Sequence, residues 1–303
     1  LRLVGSEMCI RDSVNPLQDF KAMQEIRHLV REYDPDIIHL HSSKAGFCGR
    51  MAINCKKYRV YYTPHGYAFL KQDDSALKRK IYFLAEKVLS MSHAKVIGVS
   101  KGEYEEALKL TKNAMYINNG IDITKIPKSG KKEFDREHPV ICTLGRISFP
   151  KNPSMFNRIA ESFPEWKFIW IGDGDLRSEL TASNIEITGW MDREEATEQL
   201  ARADVFLIPS LWEGLPVALL EAMYQEKLCI ASRVIGNRDV MINGENGFLA
   251  DCYEDYVRIL KDVSSGKIPV EEIQKRAKQD VVESYSTTKM CGEYLRVYRE
   301  DTK

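Results

Sequence analysis

From residue 36 onward, short runs of β-branched and aromatic residues recur, each followed by a stretch of helical periodicity, which restricts the chain to parallel α/β architecture. Asn15 as N-cap and Pro16 as first helical residue open a helix with the apolar stripe Leu17, Phe20, Met23, Ile26, Val30 and Tyr33, ending before Pro35. Strands are expected at 36–41, 59–63, 95–100 and 114–118, with helices at 44–57, 76–90 and 101–110 between them. A charged, structure-poor segment at 121–139 interrupts the pattern. It restarts at 140–145 and continues through 166–172, 185–189, 204–209 and 228–232, each followed by a helix-like stretch, and closes with helices over about 253–302. The 303 residues exceed the usual single-domain size. Two Rossmann-like domains are therefore expected, 14–120 and 140–303, joined by a linker at 121–139.

Residues 1–13, LRLVGSEMCIRDS, resemble translated sequencing-adapter sequence and are set aside as a non-native leader. The chain from residue 14 begins at a helix in mid-sheet, so the first domain is expected to be incomplete, lacking an opening strand and its loop. The net charge of zero divides unevenly: residues 14–120 hold 17 Lys and Arg against 11 Asp and Glu, and residues 121–303 hold 25 against 31. The basic half suits anionic headgroups or an anionic acceptor, and Lys78, Arg79 and Lys80 beside Ile81–Leu84 suit either a membrane-surface helix or a solvated face next to a core face. No apolar run approaches a bilayer span. The seven cysteines include no CxxC pair, which favours buried, reduced thiols. A cytoplasmic protein is expected, peripheral at the inner face of the plasma membrane, with no nucleic-acid partner.

Ligands of such sheets bind beyond the carboxyl ends of the strands. There, LGRISFPKN places Arg146 and Lys151 just ahead of a helix starting near Asn152 and Pro153, an anion site suited to a diphosphate or simply a solvated basic loop. After another strand, PSLWEGLPVALLEAM carries Glu213 in the loop, Gly214 in a tight turn, Pro216 as first helical residue and Glu221 inside the helix. One ligand could touch both carboxylates. A dipole partner and an exposed helix residue are the plainer readings, the second poor for a glutamate flanked by Leu219, Leu220, Ala222 and Met223.

The spacing ExxxxxxxE in that setting, with LGRISFPKN upstream and IGDGDLR between, closely resembles the retaining, nucleotide-sugar-dependent glycosyltransferases of family 4. HLHSSKAGFCGR, YYTPHGYAF, VIGVSKGE, GID after YINN, and NGENGFL resemble bacterial members that build capsule and other surface polysaccharides, so the likeness covers residues 14 to about 302. It implies the GT-B fold, α/β with two doubly wound parallel-sheet domains facing a cleft, donor bound by the second and acceptor by the first. It implies that Arg146 and Lys151 neutralise the donor diphosphate, that Glu213 binds hydroxyls of the transferred sugar, and that Glu221 holds the ribose. Amides of Gly214 and Leu215 would meet sugar or diphosphate, Gly172 and the Gly189-Trp190-Met191 segment would wall the base, and His65 would lie near the reacting sugar as a positioning or charge-stabilising group. The catalytic set is then Glu213, His65, Arg146 and Lys151, with no cofactor and no metal, a UDP-sugar donor and a lipid-linked or oligosaccharide acceptor.

On the acceptor side His41, Ser42, Ser43, Lys44 and His65 are the candidates. His39 and His41 alternate along a strand, so only one is expected to face the cleft, and strand-end His41 is chosen. Ser42 or Ser43 serves equally well as a plain N-cap. Asp173-Gly174-Asp175 matches the DxD pattern of metal-dependent transferases but fits a strand-to-helix turn better, and Asp34 with Asp36 is a second such match in an ordinary loop. Alternatives are a nucleotide-sugar 2-epimerase of the same fold, which lacks this pairing of motifs, and a catalytically impaired nucleotide-binding fragment.

Overall fold

The computed structural model describes residues 16–71, 74–127 and 134–300, so the leader and Asn15 lie outside the described residues. The chain forms two compact units. The first runs through Leu70 and includes Ser75–Gly98 and Tyr104–Tyr116; the second comprises Val99–Glu103 and the chain from Ile117 onward, with Lys71 and Asp74.

In the first unit, strands β1 (Ile37–His41), β2 (Arg59–Thr63), β3 (Lys95–Gly98) and β4 (Ala114–Tyr116) form a parallel sheet in the order β1-β2-β3-β4. Helices α1 (Pro16–Tyr33), α2 (Ser43–Ala52), α3 (Ala76–Leu89) and α4 (Lys101–Leu108) connect them. Leu40, Val60, Tyr62 and Val96 form the core with Tyr67 and Phe69, and of the α1 stripe Ile26 and Val30 pack against it while Leu17, Phe20 and Tyr33 are exposed. One buried charge pair crosses this unit. Arg50 of α2 donates to Glu86 of α3 at 2.8 Å and lies 4.0 Å above the Tyr62 ring, whose hydroxyl donates to the other Glu86 oxygen at 3.0 Å. Both charges are thus compensated, so removing either partner strands the other. Helix α2 ends at Ala52 instead of 57, because Ile53 turns extended and buries itself while the Asn54 carbonyl takes the amides of Lys57 and Tyr58.

The second sheet contains β5 (Ile141–Leu144), β6 (Phe168–Ile171), β7 (Ile185–Ile187), β8 (Val205–Ile208), β9 (Leu228–Ser232) and β10 (Phe248–Ala250), all parallel, in the order β10-β9-β8-β5-β6-β7. The order reverses between β5 and β8, the topological switch point of a doubly wound sheet. Phe168, Val205, Leu207 and Ile230 enter one core; Ile169, Phe206, Ile208 and Ala231 enter the other. Burial on both faces is why these strands read as unbroken apolar runs. Helices α5 (Pro153–Glu161) and α9 (Tyr253–Ser264) supply the first core, α6 (Arg193–Arg202) and α7 (Val217–Tyr224) supply the second, and α10 (Val270–Ser284) gives Val270 and Ile273 to the first and Ala277 and Val281 to the second. Helices α8 (Ile235–Val240) and α11 (Thr287–Glu300) complete the unit.

Several expectations are corrected. The front of the expected linker belongs to the second core, since Ile121 and Ile126 are buried there and Ile121 bridges to Ser286. β6 is followed by a single 3-10 turn, Arg177–Glu179, where a helix was expected. Cys48, Cys142 and Cys229 are buried, but Cys252 and Cys291 are exposed. Among the described residues no helix is long and apolar enough to cross a membrane.

Candidate functional site

The carboxyl ends of β5 and β8 define the switch point of the second unit, and the loops leaving them are stitched together. Beyond β5 the chain passes exposed Arg146 and fully buried Ile147, makes a 3-10 turn over Phe149–Lys151, and enters α5 through Asn152, whose side chain accepts the Met155 amide. The same Asn152 side chain donates to the Pro209 carbonyl at 3.1 Å, and the Leu211 amide donates to the Pro150 carbonyl at 2.8 Å. These bonds carry Lys151 to Glu213. Lys151 Nζ lies 2.7 Å from Glu213 Oε1, and buried Ser210 Oγ donates to that same oxygen at 2.7 Å. Arg146 has no ion-pair partner among the described residues.

Gly214 and Leu215 continue into α7. Pro216 occupies the N-cap in extended conformation, one position earlier than expected, so Val217 opens the helix. The amides of Gly214 and Leu215 have no acceptor among the described residues, while the Leu215 carbonyl takes a bond from Asn119 Nδ2 at 3.2 Å. Behind this loop lies Gly236, whose amide donates to the Glu213 carbonyl at 3.3 Å. A Cβ there would sit 2.5 Å from the Gly214 carbonyl oxygen, so the loop requires glycine at that position.

Gly172 is held by a second close approach. Its φ of 131° is left-handed territory, and a Cβ would lie 2.4 Å from the Gly145 carbonyl oxygen. Its amide donates to Thr188 Oγ1 at 3.1 Å, and that hydroxyl donates to the Gly189 carbonyl at 3.1 Å, joining two segments expected around a base. Met191 packs on the core, and Trp190 is 67% exposed. Asp173 is committed to a turn, accepting the Gly174 amide at 2.8 Å and Arg177 at 2.9 Å.

Glu221 sits inside α7 and is 3% exposed. Burial pushes its carboxyl above the ordinary value, and Arg193, the first residue of α6, opposes that shift by donating to Oε1 through Nη2 at 2.6 Å and Nε at 3.2 Å. Nothing in the sequence spacing marked Arg193, because 28 residues and a whole helix separate the partners. Ser210, Thr188, Asn119 and Gly236 were likewise unmarked; for Gly236 the signal was a glycine inside a helical stretch.

The first unit, taken by itself, holds a cluster of three histidines. His39 and His41 stand two residues apart on β1 and therefore share one face, correcting the expectation that one of them would turn away. Their rings stack at 4.1 Å, His39 Nε2 lies 2.8 Å from Thr63 Oγ1, and His41 Nδ1 lies 2.9 Å from His65 Nε2. His65 holds φ at 52°, left-handed for a non-glycine residue, and the loop presents it to His41. Burial, then the neighbouring imidazoles, lowers His39 to about 3; burial, then His41, lowers His65 to about 4; burial lowers His41. The stack is neutral at neutral pH. As it stands His65 can position a group by hydrogen bonding but supplies no charge. Ser42 is an N-cap, accepting the Ala45 amide, and Lys44 is paired with Asp19 of α1 at 3.0 Å, so that ammonium ties two helices together; Ser43 is the first residue of α2.

The chain is similar in sequence and in fold to known proteins. The chain is 28% identical over 94% of its length, and 81% of the relative's, to the UDP-Gal:alpha-D-GlcNAc-diphosphoundecaprenol alpha-1,3-galactosyltransferase of Escherichia coli. It is 28% identical, over 87% of the chain and 78% of the relative, to a 41.2 kDa protein in the cps region of Klebsiella pneumoniae. Its fold resembles sucrose-phosphate synthase from Thermosynechococcus elongatus, with a TM-score of 0.79 at 18% identity, covering 95% of this chain and 80% of that one. Anabaena HepE in complex with UDP gives 0.77 at 16% identity, covering 92% and 82%. Residues 7–125 match Glycosyltransferase Family 4, and residues 124–280, more than half of the chain, match Glycosyl transferases group 1. By these matches and by its two parallel sheets the chain belongs to the group 1 glycosyl transferases, with the GT-B fold, and is an enzyme of the hexosyltransferase type.

Proposed function

We propose that the enzyme transfers a hexose from a UDP-sugar to a lipid-linked or polysaccharide acceptor of a bacterial surface polysaccharide, with retention at the anomeric carbon and without a metal ion. It would work in the cytoplasm at the inner face of the plasma membrane. The observation that carries this reading is the Lys151–Glu213–Ser210 cluster at the switch point, beside the acceptor-less amides of Gly214 and Leu215. An ammonium, a carboxylate and free amides converge where such sheets bind nucleotides. The name of the E. coli relative, which carries both a UDP-sugar and a diphosphoundecaprenol acceptor, supports the same choice.

In the proposed reaction the bond between the anomeric carbon and the diphosphate oxygen breaks as the acceptor oxygen attacks from the same face, and the acceptor proton passes to the departing phosphate. Negative charge grows on the diphosphate while the sugar becomes oxocarbenium-like. Lys151, Arg146 and the amides at the start of α7 stabilise that growing charge more than the ground state, which is what lowers a barrier. Lys151 leaves Glu213 for the diphosphate, freeing the carboxylate for the sugar hydroxyls. Glu221 takes the ribose, and neutral His65 orients the reacting sugar or acceptor by hydrogen bonding.

The test screens UDP- and GDP-sugars for nucleotide release with a bacterial membrane lipid extract as acceptor, with and without EDTA. Release from one UDP-sugar that depends on the extract and survives EDTA, giving an α-linked product from an α-linked donor, supports the reading. Preference for a GDP-sugar, an inverted product or abolition by EDTA each removes the corresponding part.

A further inference from the structure

Helix α3 is apolar on two opposite faces. Tyr82, Phe83 and Leu89 pack inward with the Arg50–Glu86 pair. Outward, Leu77, Ile81, Leu84 and Val88 follow at steps of four, three and four, and Met91 in the following 3-10 turn extends the line; these five are 53–78% exposed. Scattered surface leucines need no explanation, but one unbroken helical stripe does. At 100° per residue, Lys80 and Lys87 border one side of the stripe and Lys78 the other. Lys87 also donates to the carbonyls of Lys109 and Leu110, which holds its ammonium beside the helix. The only acidic residue of α3 is Glu86, buried against Arg50.

We propose that this outer face of α3 docks the enzyme on an anionic lipid bilayer, with Leu77, Ile81, Leu84, Val88 and Met91 sunk into the acyl boundary and Lys78, Lys80 and Lys87 among the headgroups. An in-plane amphipathic helix with a lysine on each border is the arrangement that anionic interfaces favour. Counting the 3-10 turn, the segment is about 25 Å long at ~1.5 Å per residue, enough to lie along the surface and too short to span it when surrounded by lysines. A second copy fits worse: twofold pairing through this stripe is isologous and would set the basic borders against each other. The inference rests on the proposed lipid-linked acceptor only for its purpose.

The full chain is sedimented with vesicles of phosphatidylcholine alone and with added phosphatidylglycerol, at low and high salt, while UDP affinity is measured on the same samples. Binding to the anionic vesicles, weakened by salt, is expected. Lys78→Glu with Lys80→Glu should weaken it at least tenfold, given a factor of about five for each basic residue near the surface. Leu84→Asp with Val88→Asp should abolish it, with circular dichroism and UDP affinity unchanged. Three results overturn the proposal: no binding by the wild type, equal binding by the Leu84/Val88 variant, or a wild-type dimer that this variant dissolves. UDP binding without vesicle binding would sink the docking face and leave the proposed reaction standing.

Discussion

The histidines of the first unit and the glutamates of the second carry their polarity in opposite ways, although the first unit also buries the Arg50–Glu86 pair. In the second, each of the two glutamates faces a cation, Lys151 at Glu213 and Arg193 at Glu221. In the first, three imidazoles lie edge to edge and ring on ring, and they persist by losing their charge, His39 to about 3 and His65 to about 4. An ion pair at a binding site is a reversible stand-in for ligand charge, since each partner can exchange the other for a phosphate or a hydroxyl. A neutral stack is a shaped wall of donors and acceptors. In the proposed reaction this contrast corresponds to an electrostatic role for the second unit and an orienting role for the first.

The largest effect that separates these roles is on Glu213. Glu213→Gln keeps the size and a hydrogen-bonding group but removes the charge that Lys151 and Ser210 now hold. Transfer is expected to fall by about 10²-fold or more, in the range found for lost transition-state contacts, with UDP affinity within a few fold. Steady-state nucleotide release and calorimetry check both halves. Unchanged turnover would take Glu213 out of the site and with it the electrostatic role of the second unit.

Gly236→Ala comes next. Its Cβ would press on the Gly214 carbonyl 2.5 Å away, and backbone cannot swing aside as a side chain can. Overpacking of this kind costs about 1–3 kcal/mol. A lower urea midpoint together with weaker UDP binding is expected, because the displaced segment is the one that carries Glu213. A variant as stable as the wild type would mean that this loop is looser than the packing implies.

How far the sequence revealed these features depends on the range of the interaction. FIWI and VFLI announce strands buried on both sides, since a strand enclosed by two layers has no solvent face to alternate with. β10 and α8 did not announce themselves: α8 is six residues, too few for a helical period to show, and the three residues of β10 follow directly on the last glycine of NGENG. Glu213 and Lys151 were legible as residues following strands, where parallel sheets hold their ligands. Arg193 was not: it is an ordinary basic residue behind the Asp192 cap until folding sets it against Glu221. The histidines are a mixed case. Side chains two apart on a strand share a face, so the nearness of His39 and His41 is legible in HLH, whereas the contact between His41 and His65 depends on a left-handed backbone that no residue type in TPHG dictates before glycine.

The acid side of the comparison falls on His65. Its folded value lies below the ordinary 6.5, so as pH drops from 6.5 toward about 4 the unfolded chain gains a proton that the folded chain refuses, and stability is lost over that window. His65→Gln removes one such group while retaining an amide able to face His41. Urea midpoints measured from pH 7 to 5 should fall less steeply for the variant than for the wild type. Equal slopes would mean that His65 takes up its proton as readily in the folded chain as in the unfolded one, and the neutral stack would no longer distinguish the units.

The smallest effect tests the second unit from the opposite direction. Burial raises the Glu221 carboxyl despite Arg193, so its proton is favoured in the folded state and is given up as pH rises through the raised value. The stabilisation from that proton is present below the unfolded value and lost above the folded one, the reverse of the His65 case. Glu221→Gln cannot ionise. Relative to the wild type, the variant should therefore gain as pH is raised from about 4 to 7, a small change because Arg193 opposes the burial. Thermal melts of both proteins across that interval read the difference directly. If the variant instead loses ground as pH rises, Arg193 more than compensates the burial, Glu221 is held as a carboxylate by its partner alone, and the two charged sites of the second unit follow one rule.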